Sequence, residues 1–207
     1  MNRIIVAGID TEVGKTVVSA ILTEALGGAY WKPVQCGLPG DLAWVQNHLS
    51  SPSRCYLSAF SLGAPCSPHL AAKKEGVRIE ASRLIPPVTS LPLVIEGTGG
   101  ILSPLNEIET WVDAAVHWNA RWILVHRHYL GSLNHFALTI ESMRCRKLSL
   151  FGVIFNGEGD LETEKMLLKK AKTRCLERLS WQEQLTPKTV QEIAKKWRPS
   201  LLRTLGF

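Results

Sequence analysis

The sequence predicts an α/β fold: a single-domain, P-loop NTPase-like protein whose mainly parallel sheet carries helices on both faces. Three observations predict it. Short continuous apolar runs recur along the chain, as in strands buried on both faces. Longer helical patterns alternate with them, which is the order a parallel sheet with crossover helices requires. Between the first run and the first helical pattern, residues 8–16 read Gly8-Ile-Asp-Thr-Glu-Val-Gly14-Lys15-Thr16, matching G-x-x-x-x-G-K-[ST].

Taken in order, residues 4–7 read as the first strand and 15–26 as the first helix. A weakly marked second strand covers 29–32. The stretch 37–92 breaks the rhythm: Pro39, Pro52, Pro65, Pro68, Pro86 and Pro87 leave room only for short helical patterns. It reads as a Pro-rich insertion over the active site, since ligands of such sheets sit beyond the carboxyl ends of the strands. A third strand follows at 93–96, a helix within 110–118, a fourth strand at 122–126, a helix at 132–144 and a fifth strand at 151–155. A further helix places Leu161, Met166, Leu167, Leu168, Ala171 and Cys175 on an apolar side.

Composition narrows the class. The chain has 207 residues, 45% of them hydrophobic, which suits one domain with a sizeable core. No apolar run reaches the roughly 18 residues of a membrane span, and Arg3 leads straight into Ile4 without a signal-peptide segment. The reading is a soluble cytoplasmic protein. Five scattered cysteines with no C-x-x-C pair argue against a disulfide framework or a zinc site. The net charge of +6 is concentrated in the last third. Glu162, Glu164 and Glu177 interrupt it and no aromatics interleave, so it reads as a solvated helix face and not as a nucleic-acid surface. His69 and His135 are isolated and read as packing or hydrogen-bonding residues.

The Gly-rich motif points to nucleotide chemistry. Its glycines let backbone N–H groups turn inward around phosphates, and the following helix N-terminus adds partial positive charge. Glu12, Val13, Gly14, Lys15, Thr16 and Val17 form the candidate phosphate cradle. Lys15 would reach the β- and γ-phosphates and Thr16 would ligate Mg²⁺. Mg²⁺ prefers oxygen ligands, so a carboxylate should complete its site. Glu96 is the first candidate, because it leaves a buried strand just before Gly97-Thr98-Gly99-Gly100. Asp41 is the second, with helix capping as an equal reading. The guanine signature N-K-x-D is absent, favouring ATP, and so is the early loop lysine of many partitioning ATPases.

Several segments together resemble the dethiobiotin synthase family. They are the phosphate loop with Asp10-Thr11-Glu12-Val13, then Lys32-Pro33-Val34-Gln35-Cys36-Gly37, then Cys66-Ser67-Pro68-His69. Glu96-Gly97-Thr98-Gly99-Gly100 with Pro104-Leu105, Leu130-Gly131-Ser132-Leu133-Asn134-His135 and the strand ending at Asn156 follow in the family's order. The resemblance runs from residue 3 to about 160.

It implies a homodimer that converts 7,8-diaminononanoate, CO₂ and ATP into dethiobiotin, ADP and phosphate, with Mg²⁺. By the same resemblance Lys32 would stand between a carbamate and the γ-phosphate, and Thr11 and Cys36 would contact the diamine. Asp41 and Glu96 would join Thr16 at Mg²⁺. Gly97, Thr98 and Gly99 would border the nucleotide. Asn156 and Gly157 would meet adenine. Ser132 and Asn134 would hold the substrate carboxylate of the partner subunit. Read without the resemblance, Lys32 is a surface lysine after a strand and Ser132 or Asn134 a helix cap.

The chain also departs from that pattern. Cys36 stands where the family has serine, Tyr129 where it has lysine, and His126-Arg127-His128 where it has small apolar residues. The alternatives are a P-loop switch ATPase acting on a macromolecule, or a nucleotide-binding relative with impaired cyclisation.

Overall fold

Strand β1 (Arg3–Gly8) is the axis of the fold. Ile4, Ile5 and Val6 are wholly buried there, and parallel neighbours flank the strand on both edges. The computed structural model describes residues 2–206. After β1 come α1 (Lys15–Leu26), β2 (Ala29–Trp31), β3 (Val34–Cys36), α2 (Asp41–His48), β4 (Cys55–Tyr56), β5 (Phe60–Leu62) and α3 (Pro68–Lys74). Then follow β6 (Leu93–Gly100), α4 (Trp111–Ala115), β7 (Arg121–Arg127), α5 (Ser132–Cys145), β8 (Leu150–Asn156), α6 (Leu161–Ala171), β9 (Cys175–Leu179) and α7 (Pro187–Leu205). Among the described residues no helix is long and apolar enough to cross a membrane.

Seven strands form one sheet in the order β4-β2-β6-β1-β7-β8-β9, every pair parallel. The consecutive strands β6 and β7 lie on opposite edges of β1. Their outgoing segments diverge and leave a crevice above the carboxyl end of β1, where a ligand site is favoured. The phosphate loop leaves β1 at that point. A small parallel pair, β3 with β5, stands beside the main sheet.

The register positions the chemistry. Tyr30 pairs with Val94 and Trp31 with Ile95, so β2 lies beside the first residues of β6 and ends just before Glu96. Residues two apart on a strand share a face. Tyr30 and Lys32 therefore follow one another along the face that also carries Val94 and Glu96.

Three readings need correction. The fifth predicted strand is not the last: Cys175 opens β9 instead of extending the preceding helix, which ends at Ala171. Lys172 stops α6 in a left-handed conformation (φ +54°), with its N–H on Leu168 and Lys169 carbonyls. Asp41 is the first residue of α2, whose cap is Gly40, and α5 is capped by Gly131, so neither Asp41, Ser132 nor Asn134 is a cap. The third strand runs on through the Gly-rich segment to Gly100 instead of ending at Glu96. Helix α7 also lay outside the elements read from sequence. It buries Val190, Ala194, Trp197, Leu201 and Leu205 as one stripe, and Arg198 donates to the Ala25 carbonyl at the end of α1. The segment 37–92 contributes an edge strand, β4, and two short helices, so it is more ordered than its prolines suggest.

Candidate active site

The phosphate loop turns on Gly14, which has φ +94° and precedes α1 directly. A Cβ there would lie 2.1 Å from Asn156 Nδ2. Only glycine suits both the backbone and the close approach. Asn156, at the end of β8, donates Nδ2 to the Val13 carbonyl at 2.9 Å and so ties the loop to the sheet. Lys15 is 6% exposed and donates to the Asp10 carbonyl at 2.7 Å. Burial pushes its pKa down to about 8, against the opposing pull of Glu96.

Glu96 is the hub. It is wholly buried, yet three groups donate to it: the Thr16 hydroxyl to Oε1 at 2.8 Å, Lys32 Nζ to Oε1 at 2.9 Å and the Tyr30 hydroxyl to Oε2 at 2.8 Å. Lys32 also pairs with Asp41 Oδ2. Burial alone would lower the pKa of Lys32, but Glu96 and Asp41 outweigh it and hold the ammonium above its ordinary range. Two lysines, Lys15 and Lys32, thus face two carboxylates, Glu96 and Asp41. The matched charge is what allows four such groups to be sequestered. Tyr30, also wholly buried, has its phenol pKa raised well above the usual value by burial and by Glu96, so it stays a donor.

These groups open into a cavity of about 840 Å³. Thr11, Glu12, Gly14, Lys15, Thr16, Val17, Lys32, Cys36, Asp41, Glu96, Thr98 and Gly99 line it. Pro65, Cys66, Ser67 and Pro68 close the far wall. Gln35 pins the segment from Cys36 to Asp41, donating Nε2 to the Cys36 and Gly37 carbonyls and accepting the Asp41 N–H. Cys36 faces Cys66, and burial, then Cys66, pushes its thiol up to about 11, so it is neutral at physiological pH.

A second cavity of about 480 Å³ adjoins the first through Val17. Arg127, His128, Asn156, Gly157, Leu179, Trp181 and Gln182 are among its walls. His48 of α2 reaches the Leu185 carbonyl at 3.0 Å and ties this rim to the other side of the crevice.

Of the residues singled out in the sequence, most meet here. Val13 is buried and contributes its carbonyl, and Gly97 is buried with its Cα side against Trp111, so neither lines a cavity. Ser132 and Asn134 lie at the start of α5, outside both cavities of their own chain; Ser132 is buried and Asn134 exposed. Tyr129 in the preceding turn donates to Asp10 Oδ2 at 3.2 Å and meets His135 Nδ1 at 2.7 Å, linking that turn to the phosphate loop. His69 is an exposed partner of the Ser67 hydroxyl. All five cysteines are free. Tyr30, Gln35 and the Trp181 segment are the parts the sequence reading missed. Tyr30 alone had a signal, its two-residue spacing from Lys32.

Comparison with known proteins agrees with this geometry. A protein-family profile described as an AAA domain matches residues 2–189. The ATP-dependent dethiobiotin synthetase BioD of Chlamydia pneumoniae is 41% identical over 199 residues, covering 96% of this chain and 90% of the relative. That of Brucella ovis is 43% identical over 189 residues, covering 90% and 89%. Among solved structures, a putative plasmid partition protein from Borrelia burgdorferi bound to AMPPNP shares the fold with a TM-score of 0.58 at 14% identity, over 98% of this chain and 97% of that one. With Lys32, Glu96 and the phosphate loop meeting in one crevice and relatives alike over nearly their whole length, the chain belongs to the ATP-dependent dethiobiotin synthetase family.

Proposed function

We propose that this chain closes a cyclic urea at the expense of ATP, converting 7,8-diaminononanoate and CO₂ into dethiobiotin, ADP and phosphate. One observation carries the reading. Lys32 is held between two carboxylates, a few atoms from Thr16, in a cavity that begins at the phosphate loop and extends past it to Cys36 and Cys66. A nucleotide-only site has no use for that second compartment.

In this reading one substrate amine adds to CO₂ and forms a carbamate. A carbamate oxygen attacks the γ-phosphorus as its bond to the ADP oxygen breaks, giving a carbamic-phosphoric anhydride. The second amine then attacks the carbonyl carbon, phosphate leaves and the ring closes. Such transfer depends mainly on positioning and on stabilising spread negative charge. Lys15 and the loop N–H groups take the β- and γ-phosphates. Lys32 places a fixed cation where carbamate and γ-phosphate meet. Thr11 and Cys36 hold the diamine. The thiol is a weaker hydrogen-bonding group than the family's hydroxyl.

The donor set suits Mg²⁺: the Thr16 hydroxyl and the Glu96 and Asp41 carboxylates are hard oxygens gathered around one ammonium. Bound there, Mg²⁺ would neutralise phosphate charge. The second cavity suits the base and ribose, with Asn156 Oδ1 available to an adenine amino group and Trp181 at the rim. Gly157 and the segment Gly97–Gly99 border the nucleotide. The working unit is a homodimer: Leu130, Leu133 and Leu138 are exposed on and before α5, and Ser132 and Asn134 there would hold the partner's substrate carboxylate. A cytoplasmic setting fits free thiols.

Phosphate release from ATP, measured with and without diaminononanoate and bicarbonate, tests the assignment. Release should require both, with a cyclic urea visible by mass spectrometry. Lys15→Ala should lose nucleotide-dependent activity. Lys32→Ala should keep ATP binding while turnover falls at least a hundredfold, on the scale of one lost transition-state contact. Full turnover in Lys32→Ala would remove Lys32 from the mechanism. Release that ignores the diamine and responds to DNA would favour a switch ATPase.

A further inference from the structure

We infer that Tyr30 is a positioning residue for the metal–nucleotide site, acting through Glu96 and fixing the plane in which its carboxylate presents an oxygen to the ligand. The inference rests on the reading of Glu96 as a Mg²⁺ ligand.

The two oxygens of Glu96 have different surroundings. Oε1 takes Thr16 at 2.8 Å and Lys32 at 2.9 Å, both residues that line the larger cavity. Oε2 takes the Tyr30 hydroxyl at 2.8 Å, and Tyr30 does not line that cavity. Tyr30 and Glu96 are both 0% exposed. One oxygen is thus committed to the protein interior and the other to the site.

Backbone pairing makes this arrangement rigid. Tyr30 is paired in register with Val94, two residues before Glu96 on the neighbouring strand. The phenol holds one carboxylate oxygen, while the cavity-lining Lys32 and Thr16 hold the other. A glutamate has three rotatable side-chain bonds, and without a partner on Oε2 the carboxylate could rotate out of the plane that aims Oε1 into the site. Groups that orient a metal ligand in this way commonly change metal affinity by about 10- to 100-fold when removed. The phenol also satisfies a buried anionic oxygen that would otherwise have no donor.

The test uses the full-length protein with Mn²⁺ as a spectroscopic stand-in for Mg²⁺. Electron paramagnetic resonance measures Mn²⁺ affinity in the presence of a non-hydrolysable ATP analogue, and a separate titration in EDTA measures the analogue alone. Tyr30→Phe removes a single oxygen. It should weaken Mn²⁺ about tenfold or more and leave metal-free analogue binding within twofold. In turnover, half-saturation by Mg²⁺ should rise by the same factor, with kcat recovered at high Mg²⁺. Thermal unfolding of both proteins separates this from loss of fold.

Glu96→Asp is the second variant, because its shorter carboxylate cannot keep both Tyr30 and the cavity-lining partners. In that background, adding Tyr30→Phe should change Mn²⁺ affinity by less than twofold. An unchanged Mn²⁺ affinity in Tyr30→Phe, or full additivity in the double variant, overturns the role of Tyr30. If Glu96→Gln also leaves Mn²⁺ binding untouched, the metal assignment of Glu96 fails instead.

Discussion

Replacing His126 by valine should remove an acid sensitivity built into the core. His126 lies on β7 with its side chain wholly buried, and neither ring nitrogen has a hydrogen-bond partner. Its ring packs edge-on against His128, Phe136 and Phe155, with centroids 4.6, 5.5 and 5.5 Å away. Burial first, and the neighbouring His128 second, pull its pKa from 6.5 down to about 4. Between these values the unfolded chain binds a proton that the folded chain refuses. Stability therefore falls as pH drops from about 6.5 to about 4 and is unaffected by this group above that window. The gap corresponds to about 3 kcal/mol when fully expressed, and to about 2 kcal/mol at pH 5.

At neutral pH the substitution trades two opposing effects. It removes an unpaired buried donor and acceptor, costing about 1–3 kcal/mol each, and loses ring contacts of about 0.5–1.5 kcal/mol each. The two sums oppose one another and are the same at both pH values, so the pH dependence is the decisive quantity. Urea unfolding of both proteins at about pH 7.5 and about pH 5 measures it. The stability of His126→Val relative to the parent should rise by about 2 kcal/mol between the two conditions. A difference that stays flat to within about 0.5 kcal/mol would refute the account, because carboxylates common to both proteins cancel.

Gly14→Ala should abolish ATP binding in a fluorescent-analogue titration, since the new Cβ meets Asn156 Nδ2 and the backbone holds φ +94°. Circular dichroism should remain close to the parent spectrum. Asn156→Ala frees the loop from its anchor on the Val13 carbonyl and should raise the ATP dissociation constant about tenfold, the effect of roughly 1.4 kcal/mol. Gly152→Ala places a Cβ 2.4 Å from Leu176 Cγ between β8 and β9 and should cost about 1–3 kcal/mol in urea unfolding, with ATP affinity unchanged.

The legible part of the fold was its centre. β1, β7, β8 and the start of β6 carry short continuous apolar runs because each is covered on both faces, and their alternation with helical patterns marks them as strands. The edge was not legible for the opposite reason. β9 reads Cys175-Leu-Glu-Arg-Leu179, half exposed, and carries charges that look helical beside the preceding basic run. The stop between them is Lys172 in the left-handed conformation, where glycine is the usual signal. Helix α7 has a regular apolar stripe, but Pro199 lies inside it and disguises the pattern.

In the site, Lys15, Thr16 and Glu96 could be found from the order of strand, loop and helix. Lys32, Cys36 and Asn156 needed resemblance to a family, because a lysine after a short strand carries no chemistry of its own. Tyr30 and Gln35 needed coordinates. Tyr30 serves a carboxylate 66 positions away, and Gln35 acts through backbone groups that any sequence would supply.

The space left around the phosphate loop bears on what this chain can bind besides a nucleotide. Partition-type ATPases at 14–15% identity share the fold, and a shared fold says nothing about substrates. Here the loop lines the larger of two cavities that share Val17 of α1 in their walls. The smaller holds Asn156 and Trp181, groups suited to a flat base. The larger holds Lys32, Asp41 and Glu96 at its inner end and the thiols of Cys36 and Cys66 at its outer end. In the proposed reading, a triphosphate on the loop would place its terminal phosphate inside the larger chamber, which Lys32 also lines. A second reactant is needed to make use of that chamber, and the matched charges lining it favour one bearing both amine and carboxylate character, as a carbamylated diamine does. In the proposed reading, the insertion that contributes Pro65 to Pro68 supplies the wall of the space for the second substrate.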